Sequence, residues 1–391
     1  MMEAADVAII GGGVIGSAIA FNICAIDPRV SVVVVERDPT YRIASSALSL
    51  SSIRQQFSAP INIAMSRYGM SFLKSIGSHL SVDGVVPEVG LIERGYLYLA
   101  SEAGKAALEE NYAVQHRHGV DVALLDRAGL SERFPWLDTT ELAAGSFGLS
   151  GEGWFDGWTL LQAFRRKARS LGAKFIAGDV IRLDVADGRV HGVRLADGTR
   201  IACGSAVNAA GPWAGAVAAM AGIELPVHPE RHCVFVFDCK DPPAACPLVI
   251  DSSGIYFRPE GQFFVCGGAP EERAHRGDQP LVVEYALFED VIWPHLAARV
   301  PAFAAIKLKN AWAGYYEMNA FDQNAILGAA PEVPNFYFAN GFSGHGMQQS
   351  PAAGRGLAEL ILQGSYRTLD LGPLGFERLR RNEPLYERNI I

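Results

Sequence analysis

The chain has 391 residues, of which 49% are hydrophobic, 19% charged and 10% aromatic. This balance suits a folded globular protein and excludes a disordered chain, a coiled coil or a fibrous repeat. At ~150 residues per domain the length leads to an expectation of two domains, or one large unit with an insertion. Thirty-four basic against 42 acidic residues give a formal charge of -8 with no Lys/Arg block, which argues against a nucleic-acid partner.

Residues 6–10 (DVAII) read as a buried parallel strand, 11–16 (GGGVIG) as a tight turn and 17–26 as a helix. A second apolar run, 31–35, ends in Glu36. The spacing matches Gly-x-Gly-x-x-Gly followed by an acid 20 residues after the last glycine, the dinucleotide-binding fingerprint. Gly11 would allow the sharp turn, Gly13 would let backbone approach a pyrophosphate, and Gly16 would permit close helix packing. Unpaired amides at the helix start attract phosphate, and Glu36 would accept from ribose hydroxyls. An acid there disfavours NADP, while NAD and FAD both satisfy it. Residues 7–26 have the length and apolarity of a membrane span, yet their glycines and the acids ahead of them (Glu3, Asp6) favour strand, turn and helix over a span or a signal sequence.

Regular βα repeats do not follow. A Ser-rich segment (45–52) leads to a helix over 61–76, a strand over 95–100 (GYLYLA), a helix over 103–118, an amphipathic helix over 158–171 and a strand over 174–177. Hairpin turns are expected at Asp187-Gly188 and Asp197-Gly198, before a strand over 206–210 that meets Gly211-Pro212-Trp213. Residues 227–238, 255–258, 262–266 and 307–317 read as antiparallel strands of a second sheet, with a helix over 281–295. The chain closes with a strand over 335–339, a glycine loop over 340–346 (NGFSGHG) and a helix over 347–362. One sheet must therefore gather strands from the start, middle and end of the sequence. The six cysteines (Cys24, Cys203, Cys233, Cys239, Cys246, Cys266) form no Cys-x-x-Cys pair, so no zinc site or disulfide framework is expected, and a reduced, cytoplasmic location fits.

Three segments, GGGVIG with Glu36-Arg37, VNAAGPWAG (207–215) and NGFSGHGMQQSPAAG (340–354), resemble the FAD contacts of the amine and amino-acid oxidoreductases related to D-amino-acid oxidase, glycine oxidase, sarcosine oxidase and dimethylglycine dehydrogenase. SIRQQFS (52–58), GYLYLAS (95–101), FPW (134–136) and EGWFDGW (152–158) resemble most closely the FAD-dependent oxidoreductase domain-containing proteins and their bacterial relatives.

The resemblance implies an α/β plus α+β fold. In it a Rossmann-like FAD-binding domain (1–90, 151–222, 326–391) is interleaved with an antiparallel-sheet substrate domain (91–150, 223–325). It implies FAD contacts at Gly11, Gly13, Val14, Ile15, Gly16, Glu36, Arg37, Ser45, Ser46, Ser51, Val180, Ala210, Gly211, Trp213, Gly314, Gly341, Ser343, Gly344, His345, Gly346 and Met347. The implied substrate-side residues are Arg54, Tyr256, Arg258, Tyr316, His345 and Gln348, with no metal.

Arg54 resembles an arginine that sarcosine oxidases hold near the flavin, and Arg258 on its aromatic strand is expected either to grip a carboxylate or to form a structural ion pair. Gln348 stands where sarcosine oxidases carry a carboxylate-binding lysine. Gly314 stands at their cysteine attachment point, and residues 45–52 hold no histidine, so non-covalent FAD is expected. The implied reaction oxidises a small amino acid, best a secondary amine such as an N-substituted glycine or an iminodicarboxylate. Hydride passes to flavin N5, the imine hydrolyses, and oxygen reoxidises the flavin to give hydrogen peroxide. A dehydrogenase serving a quinone or electron-transfer protein, and a non-catalytic flavoprotein assembly factor, are the alternatives.

Overall fold

The computed structural model describes residues 2–268, 275–277 and 279–387. An eight-stranded sheet runs in the order Ile326–Ala329, Phe336–Asn340, Arg200–Asn208, Met2–Ile10, Val32–Glu36, Lys174–Ala177. Val180–Ala186 and Arg189–Leu195 join Arg200–Asn208 as an antiparallel meander. The central pairings are parallel, and both faces are covered. Val7, Ile9, Val32 and Val34 pack toward one core, with the helices Val14–Ile26, Gly157–Ser170 and Gly346–Gln363. Ala8, Ile10, Val33 and Val35 pack toward the other. This two-residue alternation explains why the strands read as unbroken apolar runs.

The first strand begins at Met2 rather than Asp6 because residues 2–5 pair with Arg200 to Cys203. The apolar stretch 7–26 divides between that strand, a turn and the first helix, and among the described residues no helix is long and apolar enough to cross a membrane. The Asp187-Gly188 turn joins its hairpin with φ values of 50° and 67°, the left-handed pair that a two-residue hairpin of this hand requires.

A nine-stranded sheet forms the second layer system. Its order is His275–Arg276, Val227–Cys239, Phe263–Gly267, Tyr256–Glu260, Leu248–Ile250, Tyr96–Ala100, Ala144–Gly148, Val122–Asp126, with Ile306–Asn319 also pairing with Val227–Cys239. Among the described strands, one pairing departs from the antiparallel expectation: Leu248–Ile250 lies parallel to Tyr96–Ala100, a direction that a long connection permits and a tight hairpin would not. Leu97, Leu99, Phe235, Phe237 and Phe257 face a core beneath the helix Trp293–Arg299. Tyr96, Tyr98, Ile250 and Tyr256 form a separate cluster.

The helix expected over 281–295 is displaced. Residues 281–284 are not helical, and the helical run goes on to Arg299 through a π turn, Phe288–Ile292, in which the Trp293 N–H donates to the Phe288 carbonyl. Pro294 follows directly, and its missing N–H and bulky ring do not allow a regular α ladder to continue through it.

The carboxy-terminal segment is clamped to the molecule by a buried pair. Arg378 donates to both Asp322 carboxylate oxygens (2.7 and 3.1 Å) and to the carbonyls of Leu374 and Ala325. Asp322 also accepts from Asn319, whose N–H donates to Ser343 in the glycine loop. Arg378→Met leaves a buried carboxylate without its cation, so chemical unfolding should show a loss of about 3 to 5 kcal/mol. Arg378→Met with Asp322→Asn should recover part of it.

Candidate active site

Two adjoining clefts, of about 1180 and 830 Å3, share Val14, Ile15, Ser45, Ser46 and Glu317 as walls. The smaller lies at the carboxyl ends of the parallel strands and is lined by Gly11, Gly13, Glu36, Arg37, Val180, Ala210, Gly211 and Trp213 among others. Open α/β sheets bind ligands at that edge.

The glycines there divide by cause. A Cβ on Gly11 would lie 2.2 Å from the Ala209 carbonyl oxygen, and one on Gly16 would lie 2.0 Å from that of Gly11, so the protein's own packing forbids side chains at both. A Cβ on Gly13 would meet only the Ser46 hydroxyl, at 3.2 Å. Its bare face is left to the cleft, as a pyrophosphate needs. Ser45 Oγ is buried with no partner among the described residues, a polar atom waiting for a ligand. Glu36 accepts from the N–H groups of Gly12 (2.7 Å) and Asp38 (2.8 Å). Burial raises its pKa and those donors oppose the rise, while each oxygen keeps a second lone pair for a ribose hydroxyl. Arg37 lies 3.9 Å over the Trp213 ring. These residues fit the adenine-nucleotide half of FAD.

The larger cleft lies between the second sheet and the start of the Gly346–Gln363 helix. Gly344 (φ 91°) lets the loop press onto Tyr316, where a Cβ would come within 2.6 Å of the ring. The helix has no side-chain cap at its start, and Gly346, Met347 and Gln348 line the cleft. Its unpaired amides and positive dipole end are available to an electron-rich group. That end fits the pyrimidine edge of a flavin.

Arg54 forms the floor and is 1% exposed. Its guanidinium donates to the Gln56 carbonyl (2.7 Å) and to His345 Nε2 (2.9 Å), and it stacks 4.0 Å over Phe57. A guanidinium has no lone pair to give, so Nε2 accepts and the His345 proton sits on Nδ1. Burial, reinforced by the Arg54 charge, holds this imidazole well below the usual range. Gln348 is turned inward, its Oε1 accepting from the Arg54 N–H and the Ser66 hydroxyl. Beneath them Glu152, fully buried, accepts from the N–H groups of Gln55 and Gln56 and from the Gln56 amide, which fixes the segment that carries Arg54.

Of the residues singled out from sequence, Arg54, Tyr256, Tyr316, His345, Gln348, Ser51 and Gly314 converge on the larger cleft. Gly16, Gly341 and Ser343 are not among its walls or those of its neighbour. Ser343 instead ties the loop to Asn319 and Gly341. Arg258 also lies off the walls. Its guanidinium donates to the carbonyls of Leu50 and Pro259 and pairs with Glu260.

Tyr96, His232 and Glu317, which the motifs do not single out as site residues, also line the larger cleft. Glu317 carried a signal: it is an acid inside the strand sequence WAGYYEM. Its Oε2 accepts from the Gly341 N–H at 3.2 Å, and burial pushes its carboxyl up to about 8 against that donor and the Phe342 N–H.

A family model described as FAD dependent oxidoreductase (DAO) matches residues 6–360. The FAD-dependent oxidoreductase domain-containing protein 1 of Xenopus laevis is 44% identical, over 100% of this chain and 85% of that protein. Among solved structures, L-proline dehydrogenase from P. horikoshii superposes with a TM-score of 0.87 at 26% identity, covering 98% of this chain and 100% of that one. Glycine oxidase from Geobacillus kaustophilus gives 0.82 at 24%, covering 95% and 98%. The chain belongs to the DAO family of FAD-dependent oxidoreductases.

Proposed function

We propose that the chain oxidises a small amino acid bearing a secondary amine, an N-substituted glycine or an iminodicarboxylate, to an imine that water hydrolyses. One observation carries this reading: the dinucleotide cleft adjoins, across the shared walls Val14, Ile15, Ser45, Ser46 and Glu317, a pocket walled by Tyr96, Tyr256, Tyr316 and His232 and floored by Arg54 and His345. When bound, FAD supplies the hydride acceptor. Leu48, Leu50, Val234, Leu248 and Ile250 on the same walls disfavour an ammonium and favour the neutral amine that can release hydride. The phenols of Tyr256 and Tyr316 supply hydrogen-bond donors for a carboxylate, and Arg54 supplies positive charge from below. The cofactor contacts assigned above, and the division into an FAD-binding part (1–90, 151–222, 326–391) and a substrate part (91–150, 223–325), belong to the same proposal. The two sheets support that division by drawing their strands from separate segments.

The test is anaerobic bleaching of the flavin by sarcosine, dimethylglycine, iminodiacetate, glycine, L-proline and D-amino acids. Retained yellow colour with every amine would leave the assembly-factor reading. Oxygen is the proposed acceptor. Similarity to an L-proline dehydrogenase favours a second reading, in which a quinone or electron-transfer protein takes the electrons, and timed reoxidation of the bleached protein in air separates the two. FAD is proposed to be non-covalent, since Gly314 and residues 45–52 offer neither thiolate nor imidazole. Acid precipitation should release all the yellow colour as FAD, and colour in the washed pellet would contradict it.

A further inference from the structure

An amino acid arrives at neutral pH as an ammonium, so amine oxidation needs a group in the pocket that can take a proton. His345 cannot serve, because its Nε2 lone pair already accepts from Arg54. Glu317, with its carboxyl pushed up to about 8, is mostly protonated at neutrality and has no charge to accept with.

His232 is held differently. Its Nε2 lies 3.1 Å from Glu230 Oε1, and its ring stacks on Tyr316 with centroids 4.0 Å apart at 18°. A carboxylate only accepts, so Nε2 carries a proton and the lone pair of the neutral ring is on Nδ1. The stacking fixes the plane of the ring and the carboxylate fixes its rotation, while the ring lines the same cleft as Tyr256, Tyr316 and Gln348.

We propose that His232, oriented by Glu230 and Tyr316, is the general base that takes the ammonium proton of the substrate; the inference rests on the amine-oxidation reading. One N–H bond of the ammonium breaks, its electron pair stays on nitrogen, and an Nδ1–H bond forms. The resulting imidazolium is balanced by the Glu230 carboxylate on its other nitrogen. Among the described residues, the charged and titratable groups around it include Glu230 on its own strand, His228 at 4.0 Å from the second Glu230 oxygen, Tyr316 and Glu317 on the neighbouring strand, and Tyr96, Tyr256, His345 and Arg54 elsewhere on the cleft wall. On the other side, Arg276 and His275 pair through their backbones with Glu230 and Arg231.

The experiment follows anaerobic flavin reduction in the holoenzyme by sarcosine, iminodiacetate and L-proline between about pH 6 and 10. His232→Gln should keep its FAD content and visible spectrum and lose ~10²- to 10³-fold in limiting rate near pH 7. The loss should shrink to within a few-fold of wild type once the pH exceeds the ionisation of the free amine, where no base is needed. Glu230→Gln keeps an acceptor but not the charge, and should show a smaller loss, about tenfold, with its profile displaced in the same direction. A loss equal at every pH would mean a structural role, and an unchanged profile would mean another acceptor; either overturns the proposal. Failure of all three amines to reduce the wild-type flavin is a different result: it removes the amine reading itself, and this inference with it.

Discussion

Arg54→Met should retain FAD yet slow flavin reduction by ~10²- to 10³-fold, the size expected when a preorganised donor beneath a developing charge is removed. The side chain is 1% exposed and its guanidinium is held by the Gln56 carbonyl, by His345 and by the Phe57 face, so its orientation costs nothing at the moment of reaction. Methionine fills the volume but supplies no charge and leaves His345 Nε2 without its donor. Arg54→Lys should not restore the rate, because one ammonium cannot reach both acceptors with the geometry of the planar fork.

The stability consequence has a definite sign. The folded pKa of His345 lies well below its unfolded value through burial and the Arg54 charge. Its contribution is therefore fully present above the ordinary imidazole range near ~6.5 and is lost as pH falls toward the folded value. Removing Arg54 lifts part of that depression. The melting temperature of Arg54→Met relative to wild type should therefore improve as the pH drops below ~6. A gap between the two proteins that does not change with pH would contradict the assigned cause.

The parts of this molecule that follow from chain-local physics were legible in its sequence. The Asp187-Gly188 turn needs two left-handed residues and has them, and the 11–16 turn carries glycine where backbone contacts leave no room for a Cβ. The strand Lys174–Ala177 and the helix Gly157–Ser170 lie where apolar periodicity puts them. What stayed hidden depends on which strand neighbours which. His232 is one of three alternating polar residues, with Glu230 and His228, on Val227–Cys239, and only the pairing that sets its strand beside Ile306–Asn319 brings its ring onto Tyr316. Arg258 shows the converse: its aromatic strand leaves a carboxylate grip and a structural ion pair equally open, and only the fold, which turns its guanidinium toward Leu50 and Glu260, decides for the pair. Tyr96 enters the cleft through a parallel pairing with Leu248 that no hairpin signal announces.

Glu317→Gln should make FAD binding insensitive to pH where wild type loses affinity as the pH climbs through about 8. Glu317 lines both clefts, so in the proposed binding mode a dinucleotide spanning them would pass it, and its ionisation would add a negative charge near an anionic pyrophosphate. At an effective dielectric near 20 such a charge is worth ~1 to 2 kcal/mol, about five- to thirtyfold in the dissociation constant. The stability of the apoprotein is tied to the same group. Its folded pKa is raised above the unfolded carboxyl value, chiefly by burial and against the Gly341 and Phe342 N–H donors. The stability it contributes is therefore fully present below ~4.3 and lost as pH rises through about 8. A carboxamide never ionises and escapes that loss. The glutamine variant should thus melt at the same temperature as wild type in acid and above it in mild alkali. Fluorescence titration of the apoprotein with FAD at several pH values, beside melting curves under the same conditions, measures both effects. Parallel pH slopes for the two proteins in either measurement would assign the ionisation to another group.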